Sequence, residues 1–136
     1  MGLETHFKAI GNKTITAGPT PLELAATATV NHPLWLAPFN CELVEVEILS
    51  ATTITGANTN TKHLNLEDST TEIATRDFVS GTDLAVGETQ LYDGTSTSRF
   101  MSLADYLSVE IEKVGTGIDI PPLAFVITYR AANLSS

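Results

Sequence analysis

Two pairs of glutamates are the residues of this chain best spaced to do chemistry together. Glu45 and Glu47 stand two residues apart, and so do Glu110 and Glu112. Because successive side chains of a β-strand point to opposite faces, residues two apart share one face. A glycosidase uses two carboxyl groups, but it needs them in a cleft that keeps one of them protonated. Both pairs alternate with aliphatic residues, which instead indicates the water-facing side of a sheet.

The histidines and the cysteine offer little else for catalysis or metal binding. His32 precedes a proline in a predicted turn, and His63 falls on the polar side of a predicted strand. No second His or Cys lies at metal-ligand spacing from either of them. The single cysteine, Cys41, begins an apolar alternation, which predicts a small buried side chain and not a reactive thiol.

Signatures of other enzymes are missing as well. No glycine-rich loop joins a strand to a helix for nucleotide phosphates, and neither GxSxG nor HExxH is present. Three acidic residues in one turn-rich region, Asp83, Glu88 and Asp93, lack the spacing of a calcium loop. We therefore predict a protein that is not an enzyme and that needs no metal or cofactor.

The charge balance restricts the partners. Seven basic and sixteen acidic residues give a formal net charge of −9, and such a surface repels nucleic-acid phosphates. No apolar run reaches the length of a membrane-spanning helix. The charge is uneven, because residues 1–21 hold two lysines against one glutamate, whereas residues 22–136 hold five basic and fifteen acidic residues. We expect no direct nucleic-acid partner and no membrane partner.

Alternation of apolar and polar residues predicts antiparallel strands along most of the chain, because such strands bury one face and expose the other. Pro38 cannot donate a backbone hydrogen bond and therefore predicts a break between two of them. Many short strands with almost no helix predict a jelly-roll-like sandwich of two antiparallel sheets over residues 22–136. The predicted strands are 22–30, 34–37, 41–49, 63–67, 72–79, 89–92, 106–114 and 123–130, with one helical turn at 102–106.

The first 21 residues predict an extended arm ahead of this sandwich. They show no regular period and contain Gly11, Gly18, Pro19 and Pro21. A terminus without any docking partner is the alternative interpretation. Against it, the arm carries apolar and basic side chains that a solubilising tail does not need, and these are the candidate attachment residues: Phe7, Lys8, Ile10, Lys13 and Ile15.

Four stretches together resemble the capsid decoration (cement) proteins of tailed bacteriophages: 32–49, 54–66, 78–84 and 113–129. The resemblance implies a jelly-roll domain on the outer surface of the virion, made in the host cytoplasm. It also implies a homotrimer that clamps neighbouring subunits of the major capsid protein, often through a terminal arm. Leu43 and Leu49, predicted on the acidic face of their strand, add apolar surface for subunit contacts. The connection 99–106 departs from the family pattern.

Two other functions stay open at this stage. Jelly rolls also serve as carbohydrate-binding modules, which present exposed aromatic side chains in a row. The only tryptophan, Trp35, stands in a hydrophobic run that predicts packing and not sugar stacking. A tail-fibre or baseplate domain of a phage is the second alternative, and only its location in the virion separates it from a decoration protein.

Overall fold

The period-two segments form antiparallel strands in a computed structural model, which describes residues 11–80, 84–95 and 98–132. Within these residues there are nine strands and no helix, and hence no helix that could span a membrane. The strands are β1 (Lys13–Ala17), β2 (Val30–Leu36), β3 (Cys41–Ser50), β4 (Thr61–Asp68), β5 (Thr71–Asp77), β6 (Gly87–Asp93), β7 (Arg99–Met101), β8 (Tyr106–Val114) and β9 (Leu123–Ala131).

These strands make two antiparallel sheets that pack as a sandwich. Sheet I has the order β1-β9-β3-β6, with β7 also paired to β3, and sheet II has the order β2-β8-β4-β5. The pairs are nested, because β4 pairs with β5, β3 with β6, β2 with β8 and β1 with β9. One long hairpin therefore winds across both sheets, which is the jelly-roll arrangement. The predicted all-β, jelly-roll-like sandwich is confirmed.

The connections gather at two ends of the sandwich. The end that carries the β1–β2, β3–β4, β5–β6 and β8–β9 connections is called the upper end. The lower end has the β2–β3 and β4–β5 turns and the segment from β6 to β8, which includes β7. Between the ends, the inner faces of both sheets supply one apolar core, whose fully buried members include Leu43, Ile48, Leu64, Leu66, Phe78, Leu107, Phe125 and Ile127.

A β-bulge in β3 changes which of its side chains face the core. The pairing of β3 with β9 shifts register between Leu43 and Glu45, so Leu43 and Val46 both point inward. The prediction that Leu43 lies on the acidic outer face is therefore wrong. Leu49 does lie on that face, with 37% of its surface exposed.

Of residues 22–30, predicted as the first strand, 22–29 form a loop at the upper end and Val30 begins β2. Glu23 alone makes a bridge, to Ile120 on the β8–β9 connection. The expected burial is reversed, since Leu22 and Leu24 are 56% and 55% exposed while Glu23 is buried. The reason is that the Glu23 carboxylate has polar partners inside the sandwich, which are described below.

Two further predictions also need correction: the helical turn at 102–106 and the start of the sandwich at residue 22. Residues 102–105 form a turn with Ala104 at φ 73°, a left-handed conformation that no right-handed helical turn contains. The sandwich begins earlier than residue 22, because β1 pairs with β9 along its whole length without a register shift. Its Lys-Thr-Ile-Thr-Ala sequence has the branched side chains that suit a strand. Only residues 1–12 of the predicted arm precede the sandwich.

The free cysteine sits in the core, at the start of β3. Cys41 is fully buried, and its pKa is raised from 9.0 to about 11 by burial and by the charges of Asp105, Asp68 and Glu42. The folded state therefore holds the thiol proton more tightly than the unfolded chain does. This contribution to stability is present below pH 9 and is lost as the pH rises to about 11.

We expect Cys41→Ala to flatten the alkaline part of the stability profile. Between pH 9 and 11 the wild type should lose about 2–3 kcal/mol more unfolding free energy than the variant, from a shift of about two pKa units. Urea denaturation of both proteins at the two pH values measures this difference. Equal losses in wild type and variant would contradict the assignment.

Candidate interaction surfaces

The outer face of sheet I is acidic along β3 and β6. Glu45, Glu47 and Glu88 lie there, and Gln90 Nε2 donates a hydrogen bond of 2.7 Å to Glu45 Oε2. The pKa of Glu47 is raised by desolvation and by the negative charges of Glu45 and Glu88. The Glu45/Glu47 pair therefore faces outward on a sheet surface, as the alternation predicts, and mutual repulsion is its main electrostatic feature.

The outer face of sheet II is polar and internally hydrogen-bonded. His63 Nδ1 lies 3.4 Å from both Asp77 Oδ1 and Glu112 Oε1, which belong to the strands on either side. Next to them, Asn65 Nδ2 donates to Glu110 Oε1 at 2.9 Å. In the described part of the chain, no group of three or more His, Cys, Asp or Glu side chains could hold a metal ion. This face is a polar surface with hydrogen bonds between its own strands.

A buried polar cluster ties the loop 18–29 to the upper end. Glu23 Oε1 lies 2.7 Å from His32 Nε2 on β2, and both side chains are largely buried. Lys62 on β4 is almost completely buried, and its Nζ donates a 2.7 Å hydrogen bond to the Leu24 carbonyl oxygen. Burial lowers the pKa of Lys62, while the charges of Glu23 and Asp119 oppose that shift. His32 therefore has the structural role that the sequence favoured.

Beside this cluster an open cleft of about 510 Å³ lies between three connections at the upper end. Asp119 is its one charged lining residue, and Asp119 Oδ1 already accepts a 2.7 Å hydrogen bond from the Ala25 amide. The other lining residues are aliphatic or threonine: Leu22, Ala25, Thr52, Thr53, Ile54, Thr55, Ile118 and Pro121. The lining contains no aromatic ring on which a sugar could stack.

The described aromatic residues do not form a sugar-binding row elsewhere either. The Trp35 ring packs against Tyr129 with ring centroids 4.7 Å apart, so it contributes to the core, as the sequence predicted. Phe100 and Tyr106 are exposed, but they lie on strands of different sheets. The carbohydrate-binding alternative therefore has no stacking platform among these residues.

The lower end exposes four large apolar side chains, which we call together the lower apolar patch: Leu36 and Tyr106 on the outer face of sheet II, Phe100 on the outer face of sheet I, and Leu103 on the loop before β8. Leu103 and Leu36 are 63% and 60% exposed, Phe100 is 54% exposed and Tyr106 39%. Leu36 and Tyr106 are direct cross-strand partners on β2 and β8. Phe100 lies opposite Glu42 on β3. Exposed apolar side chains gathered at one end of a small domain indicate a protein-contact surface.

Backbone hydrogen bonds fix the loop that carries Leu103. The Ala104 amide donates to the Ala37 carbonyl at 3.0 Å, and the Ala37 amide donates to the Asp105 carbonyl at 2.8 Å. The Leu103 amide donates to Asn40 Oδ1 at 2.8 Å. These three hydrogen bonds tie the loop to the β2–β3 turn, so a fixed backbone holds the exposed Leu103.

The attachment residues predicted from the sequence are only partly placed. Phe7, Lys8 and Ile10 lie outside the described residues. Lys13 and Ile15 lie on β1, on the same side of sheet I as the core residues Tyr129 and Ile127 that they pair with. Ile15 is 39% exposed because β1 is at the edge of its sheet.

The lower apolar patch and the Glu23–His32–Lys62 cluster were not predicted from the sequence. Phe100 and Leu103 fall in the segment where turns and a short strand alternate, so no period marks them. An apolar residue inside a turn is the only sequence signal that could have pointed to Leu103. For the cluster, residues 23, 32 and 62 are too far apart in sequence for any local pattern to connect them.

Comparison of the chain with family models, with curated proteins and with solved structures found no match. The function is therefore inferred from the surfaces described above and from the resemblance seen in the sequence.

Proposed function

We propose that this chain is a structural protein that decorates the outer surface of a tailed-phage capsid and clamps neighbouring subunits of the major capsid protein. It acts as a homotrimer, without catalysis and without a cofactor. The observation that carries this proposal is the lower apolar patch. It lies at the end of the sandwich where the chain enters β1, so this proposal assigns the patch and the N-terminal segment to one partner.

The position of β1 gives the reason. Lys13 is the first residue of β1 and pairs with Tyr129, near the lower end of β9, whereas Ala17 pairs with Phe125 near the upper end. Residues 1–12 are therefore joined to the sandwich at its lower end. Phe7, Lys8 and Ile10 belong to this segment, and the proposal assigns their apolar and basic side chains to the same partner as the lower apolar patch.

The charges suit a clamp of this kind. The acidic outer faces of both sheets disfavour close contact with nucleic acid and with other acidic surfaces. Lys8 in the arm and Lys13 at the start of β1 would steer the lower end toward an acidic region of the shell. The apolar side chains then provide the lasting contact, at about 1.5–3 kcal/mol for each Leu or Phe that becomes fully buried. Three linked copies would multiply that contact through their effective concentration.

The proposal is tested by cosedimentation with empty shells assembled from the major capsid protein of the phage that encodes this chain. Leu36→Ser/Leu103→Ser should weaken binding about 10- to 100-fold, because two side chains of the patch lose their apolar surface. Leu22→Ser/Leu24→Ser is the matched control, since it removes two equally exposed leucines from the upper end. Equal binding by both double variants would overturn the lower end as the contact.

A deletion of residues 1–11 tests the arm in the same assay. It leaves β1 intact, so the sandwich should fold with an unchanged circular-dichroism spectrum. We expect weaker binding to the shells and a smaller increase in their heat resistance. Full-strength binding by the folded, truncated protein would refute a role for Phe7, Lys8 and Ile10. Binding of the wild type to purified tails but not to shells would favour the tail alternative.

A further inference from the structure

The edge strands of the sandwich differ in how well they are protected against pairing with another chain. On β2, Pro33 lacks an amide hydrogen, and the register shifts between Pro33 and Trp35. The pairing of β5 with β4 also contains a register shift, and β5 carries three charged residues. The pairing of β6 with β3 is bulged as well. Bulges, prolines and charges are the usual means by which edge strands avoid unwanted pairing.

In contrast, β1 is regular and almost uncharged. Its pairing with β9 has no register shift, it contains no proline, and its only charged residue is Lys13 at the start. No described strand pairs with its other edge. The backbone amides and carbonyls that point away from β9 can therefore accept an added strand, which is a common form of protein recognition.

An uncharged strip on the outer face of sheet I adjoins this free edge. Thr14 and Thr16 on β1 pair with Thr128 and Val126 on β9, and cross-strand partners share a face. We call this surface the neutral strip, and its members are Thr14, Thr16, Ala124, Val126 and Thr128. Ala124 pairs in turn with the exposed Leu49 on β3, which extends the apolar surface. By comparison, β3 and β6 on this face and β4, β5 and β8 on the outer face of sheet II carry carboxylates.

We propose that the neutral strip and the free edge of β1 form the self-association surface of this chain, and that a second copy occupies it. This inference rests on the homotrimer of the proposed function and names the surface that forms it. The argument is electrostatic. Each chain has a net charge of −9, so two copies repel each other wherever their carboxylate-bearing faces meet. The strip itself carries no carboxylate, and the nearest ones on its face, Glu45 and Glu47 on β3, lie on the side away from the free edge of β1.

Light scattering after size-exclusion chromatography of the full-length protein tests this surface. The wild type should have the mass of three chains. Thr14→Lys/Thr16→Lys places charges on the edge of β1 and in the strip, and it should give the mass of one chain at the same concentration. Thr53→Lys/Thr71→Lys adds the same two charges at exposed threonines away from the strip, and it should keep the wild-type mass.

A second variant distinguishes the loss of this surface from a folding defect in β1. Thr128→Glu leaves β1 unchanged and puts a carboxylate in the strip, so it should raise the dissociation constant of self-association at least about tenfold. A wild-type monomer, or full-mass oligomers for both strip variants, would overturn the inference. A dimer that the strip variants dissociate would support the surface but contradict the trimer. Shell binding is measured separately, so an oligomer that fails to bind shells refutes only the decoration role.

Discussion

Replacing Glu23 by alanine should lower the free energy of unfolding by about 3–5 kcal/mol, the usual cost of removing one member of a buried charged group. The carboxylate lies 2.7 Å from His32 Nε2, and its charge favours the buried ammonium of Lys62. Without it, both groups stay buried but lose their acidic partner. The loop 18–29 would also lose the contact that holds its start against β2.

Urea denaturation measures this loss of unfolding free energy, and two further variants serve as comparisons. Glu72→Ala is the matched control, because Glu72 is an exposed glutamate on the edge strand β5, and it should change stability by no more than about 0.5 kcal/mol. Glu23→Gln keeps an acceptor for His32 and should fall between the two. A loss below about 1 kcal/mol for Glu23→Ala would show that the cluster contributes little to stability.

Replacing Phe78 by alanine is the second change with a large expected effect, a loss of about 3–5 kcal/mol. Its ring is fully buried in the core just after β5. Its backbone carbonyl accepts hydrogen bonds from the Ala57 amide, at 3.0 Å, and from the Thr61 hydroxyl. The residue therefore anchors the β3–β4 connection to the core. A cavity in place of the ring would weaken the packing of the core and of this connection.

Phe100→Ala provides the comparison for that result, because the same ring is removed from an exposed position. We expect its thermal and urea stability to stay within about 1 kcal/mol of the wild type. Its binding to shells should weaken, because Phe100 belongs to the lower apolar patch. Similar stability losses for the two phenylalanine variants would contradict the burial on which both predictions depend.

The strands that the sequence predicted best are those in which alternation is local and uninterrupted. The predicted strand 106–114 has the same bounds as β8, and predicted 123–130 differs from β9 by one residue. Alternation could not reveal the bulge in β3, because an extra residue changes the facing of Leu43 without changing the pattern of the letters. Burial of Leu43 depends on the register with β9, which is set 80 and more residues away.

Two other misses have the same physical origin. Residues 22–30 alternate like a strand, but Glu23 is the buried residue there, and its carboxylate lies 2.7 Å from His32 Nε2 inside the sandwich. Thr14-Ile15-Thr16 is a short run between glycines and prolines, and it becomes a strand only because β9 offers it an edge. Likewise, the lower apolar patch combines Leu36 with residues 100–106, which are far from it in sequence. Local patterns therefore predicted the sheets but not the surfaces that the fold brings together.

Electron cryomicroscopy of empty shells incubated with the purified full-length protein tests the central claim most directly. The account predicts sandwich-shaped density in groups of three on the outer surface of the shell. In each copy the lower end, with Leu36, Phe100, Leu103 and Tyr106, should contact the major capsid protein, and β1 should face a neighbouring copy. Shells without added density, or copies bound through the upper cleft, would contradict it.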